Sequence, residues 1–160
     1  MKLGHVLREL HRSEVALGRK LLQTSERHRV DHEIHHVARD LVGWSRTHIA
    51  EIARIGGDYG QDLDPAPRLE LGPAAKAREK GSELIGRIGD AELLLLEDLR
   101  TVYMEASGVA MDWLLIAQAA QGLRHRDLLA VAEECQPQTT RQAKWAQAKL
   151  KEIATQILVS

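Results

Sequence analysis

Phenylalanine is absent from this chain of 160 residues, cysteine occurs once and proline four times. The lone Cys135 excludes an intrachain disulfide and suits a reducing compartment. Three tryptophans and two tyrosines cannot supply a row of rings on which nucleic-acid bases would stack. A formal charge of -1 gives no electrostatic pull toward nucleic acid or an anionic membrane. No run approaches the roughly 18 apolar residues of a membrane span. The opening Met1-Lys2-Leu3-Gly4-His5 lacks the apolar centre of a secretion signal. These absences lead to the expectation of one cytoplasmic domain over residues 1–160, with neither nucleic acid nor membrane as partner.

What the chain does contain is helical periodicity. Leu3, Leu7, Leu10, Glu14, Leu17 and Leu21 recur at steps of three and four, as do Ile34, Val37, Leu41, Trp44, His48, Glu51 and Ile55. Each series marks one helix face turned to a core. A link near 28–30, with Asp31 as N-cap, makes the two an antiparallel hairpin over about residues 3–55. Gly56-Gly57 is the stop signal. Glycines, prolines and aspartates then crowd residues 57–73. That stretch is loop, and its extended reach of roughly 55–60 Å exceeds the roughly 36–40 Å of a helix this long. It can cross the whole molecule, and with a further helix over about 74–88 it makes a crossover of about 57–89. A second hairpin is expected over about 90–158. Its first helix carries Leu95, Leu99, Val102, Ala106, Val109, Trp113, Ile116 and Ala120 and ends at Gly122, while Pro137 should kink or break its second. The two hairpins share a faint pattern-level likeness, that of a duplicated unit.

Both seams of the first hairpin are interrupted. Glu14 breaks the first, and His48 and Glu51 break the second. A carboxylate in a core seam is costly unless it is paired, protonated or bound to a metal. Counting from the turn sets Glu14 within side-chain reach of His48, with His11 level with it. If the long loop crosses over, Asp112 and either Glu133 or Glu134 come to the same height. An oxygen-rich set with one imidazole suits iron or manganese. Glu14 and His48 can equally form a buried hydrogen-bonded pair that fixes helix register. A second set, His28, His32 and His36 at steps of four with His35 beside them, can chelate a transition metal or form an exposed polar edge. Cys135 lies on an apolar stripe and reads as a core residue.

Two hairpins joined by a crossover, with Glu14 on one seam and the His48/Glu51 pair on the facing one, resemble the ferritin-like superfamily of four-helix bundles. The resemblance spans about Leu3 to Ile157. It implies an all-α, ferritin-like four-helix bundle with an extra crossover helix; a homo-oligomer, most simply a homodimer, is expected. Its di-iron members place a Glu on one helix and Glu-x-x-His on the next, then repeat the set. Glu14 matches the first position, while His48 to Glu51 is the second in reverse. Glu33 to His36 runs forward but lies too near the turn to meet Glu14. In the second hairpin the last helix offers Cys135, Gln136, Gln138 and Gln142 instead. The resemblance therefore implies half a site, with Glu14, His48 and Glu51 as iron or manganese ligands, His11 and Asp112 as helpers, and a redox or oxygen-reactive role. The alternative is a metal-free bundle that acts through protein contact, its polar seam purely structural.

Overall fold

The computed structural model describes residues 2–86 and 91–160, with side chains through residue 81 in the first stretch. Five α-helices carry the chain: α1 (Lys2–Arg27), α2 (His32–Gly56), α3 (Pro73–Gly86), α4 (Ala91–Leu123) and α5 (Arg126–Val159). No strand occurs among the described residues. The last residues of the helix expected over 74–88 lie outside them. No described helix is long and apolar enough to cross a membrane.

The apolar stripes explain the packing. Leu7, Leu10, Leu17 and Leu21 of α1 and Leu99, Val102, Ala106, Val109, Trp113, Ile116 and Ala120 of α4 are all buried. On α2 the buried column runs through Ile34, Ala38, Leu41, Ser45, His48, Ile52 and Ile55. Val37, Trp44 and Glu51 belong to the neighbouring column and are only half-buried. At 3.6 residues per turn, one step along a seam turns the face by a fraction of a side chain. That fraction moves Glu51 out of the core.

Helix α1 packs along α2 and α4, and α5 along α4 and α2. Lys20 meets Asp98 and Glu14 meets Trp113, so α1 and α4 are antiparallel. Arg54 meets Asp127, His48 meets Gln138 and Lys149 meets Glu33, so α2 and α5 are antiparallel as well. The connection from α2 to α4 starts beside the α4–α5 turn, where the Tyr59 hydroxyl lies 2.5 Å from His125 Nδ1. It then runs back along α1. His11 Nε2 donates to the Asp64 carbonyl at 2.7 Å, Arg19 donates to the Arg68 carbonyl at 3.1 Å, and Glu79 of α3 pairs with Arg27 at 2.5 Å. Leu69, 2% exposed, presses on α1 at Gly18, where an added Cβ would lie 3.0 Å from its Cδ1.

The helix ends follow from capping chemistry. Asp31 accepts from Ile34 N at 3.0 Å, the expected N-cap of α2. Helix α2 ends at Gly56 with Gly57 as its C-cap, where the glycine pair is expected to stop it. A separate 3₁₀ turn over Gly57–Tyr59 then leads to Gly60, whose φ of 71° suits glycine. Pro137 does not break α5, which continues through it as one helix. Gly122 is likewise not the end of α4. Arg124, with φ 56°, closes that helix through Arg124 N to Gln121 O and His125 N to Ala120 O. This is a Schellman ending with a non-glycine residue in the left-handed position. Arg124→Gly should therefore stabilise the protein by about 1 kcal/mol, read as a higher urea midpoint at unchanged slope.

Candidate functional site

The polar seam lies midway along the helices and joins four of them. Glu14 on α1, His48 on α2 and Trp113 on α4 each have zero exposure. Glu14 Oε1 accepts from Trp113 Nε1 at 2.9 Å and lies 2.9 Å from His48 Nδ1. His48 Nε2 lies 2.7 Å from Gln138 Oε1 on α5. The Trp113 indole also stands edge-on to the imidazole, with centroids 6.1 Å apart. One turn along the α2–α5 contact, Gln142 Nε2 donates to the Leu41 carbonyl at 2.9 Å and to Ser45 Oγ at 3.0 Å. Thr139 Oγ1 returns to the Cys135 carbonyl at 2.9 Å.

Both nitrogens of His48 face oxygen acceptors, so the ring fits its site as an imidazolium donating twice. Burial by itself would favour the neutral ring. Hydrogen bonding to Cys135 and to Glu14, with the Glu14 charge, outweighs it and raises the pKa from 6.5 to about 10. Burial holds the Cys135 thiol above its ordinary range, and the Glu14 carboxylate is the acid within ion-pair distance of the ring, at 2.9 Å. Because the folded pKa exceeds the unfolded one, this contribution is complete below pH 6.5 and is lost as pH rises toward about 10. Unfolding free energy should fall by on the order of 5 kcal/mol across that window. A His48→Gln variant, measured by urea denaturation at matched pH values, should lack that slope.

Glu14 and His48, the two residues at the centre of the sequence argument, meet. The other candidates are elsewhere. Glu51 is on the surface, bonded to Arg54 at 2.7 Å. His11 is buried but engaged with the Asp64 carbonyl of the connection. Asp112 sits on the flank of α4, where partial burial raises its carboxyl pKa. Glu133 and Glu134 are exposed. The second histidine set is split: His28 binds Asp98 at 2.8 Å, while His32 stacks on His36 and His35, whose Nδ1 bonds the Ser25 carbonyl at 2.8 Å, stands edge-on to His36.

This donor set does not fit an iron or manganese ion. Both ring nitrogens of His48 are already engaged by Glu14 and Gln138, and among the described residues Glu14 is the one carboxylate in reach of the ring. Among the described residues no group of three or more His, Cys, Asp or Glu side chains is placed to share a cation.

Trp113 and Gln138 complete the site, and sequence reasoning had given neither this role. Gln138 and Gln142 do continue the three-four rhythm of Val131 and Cys135, a polar interruption in α5 as marked as Glu14 is in α1. Comparisons with protein-family models, curated proteins and solved structures return no match to this chain.

Proposed function

We propose that this chain is a metal-free, ferritin-like four-helix bundle that acts through protein contact as a homodimer. The up-down-down-up course implied by the antiparallel α1–α4 and α2–α5 pairs supports the ferritin-like reading, as does the connection laid along α1. The observation that carries the metal-free reading is the double capping of His48 by Glu14 and Gln138. With both ring nitrogens engaged, the seam is a register lock between helices rather than a ligand set. Protein contact is supported by the outer face of α4. Met104, Met111 and Leu115 are each more than half exposed at helical spacing, with Gly108 between them open to close approach. Helix α4 is thus apolar on two opposite sides, and the α1–α5 pair covers only one of them.

Light scattering on the eluting protein tests this reading. The wild type should have the mass of two chains, and Met111→Lys the mass of one. Elemental analysis of protein purified without a histidine tag should find iron and manganese far below one per chain. A stoichiometric metal lost on Glu14→Gln, or a wild-type monomer, would overturn the proposal.

A further inference from the structure

A cleft of about 550 Å³ lies away from the polar seam, between α1, the connection at Leu69–Leu71, α3 and Arg39 of α2. Its size suits a small ligand. On a chain with a formal charge of -1, its lining is strongly segregated toward cations. Each carboxylate in that lining already has a cation of its own: Glu26 has Arg29, Glu70 has Arg46, and Glu79 has Arg27. Four lining cations remain. Arg19 donates only to the Arg68 carbonyl, which leaves its charge uncompensated. Arg39, Lys76 and Lys80 make no ion pair with any described carboxylate, and all three are exposed. Lys76 and Lys80 are one helical turn apart and share a face of α3.

Like charges gathered around a concavity repel one another and attract a multiply charged anion. The floor adds a second requirement. Leu22, Leu69 and Leu71 line it, and no aromatic ring does. That surface receives an aliphatic group and offers nothing on which a nucleobase could stack.

We infer that this cavity binds a small phosphorylated compound, with Arg19, Arg39, Lys76 and Lys80 holding the phosphate and the three leucines taking an aliphatic remainder. Guanidinium forks match phosphate oxygens bidentately, while the lysines supply charge that can follow the ligand. The site is independent of the polar seam and of the outer face of α4.

Calorimetry on the intact protein in about 150 mM salt, where exposed charges are already screened, tests it. Inorganic pyrophosphate should bind at one site per chain, with Kd on the order of 0.1 mM. The Arg39→Gln/Lys76→Gln double variant should bind at least tenfold more weakly while melting at the wild-type temperature, since both residues are exposed. n-Butyl phosphate should bind more tightly than inorganic phosphate. No heat with pyrophosphate at millimolar concentration, or equal affinity in the double variant, would overturn the site. Equal affinity for butyl phosphate and phosphate would overturn the assignment of the leucine floor.

Discussion

Glu14→Leu is expected to destabilise the protein by about 3–5 kcal/mol, a large share of the 5–15 kcal/mol typical of a domain. The substitution takes the acceptor from Trp113 Nε1 and the counter-charge from His48, both of which have zero exposure. An imidazolium left there without a carboxylate must either remain uncompensated or release its proton. In each case the free energy that holds its pKa near 10 is lost. Glu14→Leu/His48→Leu should be less damaging than Glu14→Leu alone, because it removes the stranded charge along with its partner. What remains in the double variant is the unpaired indole N–H and the side chain of Gln138, at about 1–3 kcal/mol each. Urea denaturation of both single variants and the double variant gives the coupling energy directly. A Glu14→Leu protein within 1 kcal/mol of wild type would refute the register lock.

The second large effect is expected at the turn end of the first hairpin. Asp98, 1% exposed, accepts from Lys20 at 2.7 Å, Arg27 at 3.0 Å and His28 at 2.8 Å. Burial would raise its carboxyl pKa. Hydrogen bonds from His28 and Lys20, with the charges of Lys20 and Arg27, more than reverse that, and the group is held below 3.8. Asp98→Asn keeps the shape and removes the charge, which leaves Lys20 and Arg27 facing each other across a neutral amide. A loss of about 3 kcal/mol at pH 7 is expected. The sign in acid follows from the depressed pKa: the contribution is complete above pH 3.8 and disappears as pH falls through the lower folded value. In wild type, stability should therefore decline below about pH 4, and in Asp98→Asn that decline should be shallower. Thermal unfolding followed by circular dichroism between pH 2 and 7 measures both.

These two clusters also show what a one-dimensional reading can reach. Glu14 and His48 stand out because each breaks an otherwise apolar series, and a break in period is visible without coordinates. Asp98 gave no such signal. It lies one residue before the buried Leu99, and its partners are some 70 residues away across a connection whose course no local pattern specifies. Glu51 was misplaced for a geometric reason, since it shares a spacing with His48 but sits one column around α2. Arg124 escaped notice because glycine is the usual residue in its conformation and Gly122 lay nearby as a decoy. Helix content was legible from periodicity, whereas the use of His11 as a tether depended on where the loop settled.

The placement of Glu14, His48, Trp113 and Gln138 on four different helices has a kinetic consequence. Each hairpin can form from contacts close in sequence, but the network closes only when the two hairpins come together, after the entropy of a long loop has been overcome. Dehydration of the carboxylate and of the ring thus belongs to the docking of preformed halves, not to helix growth.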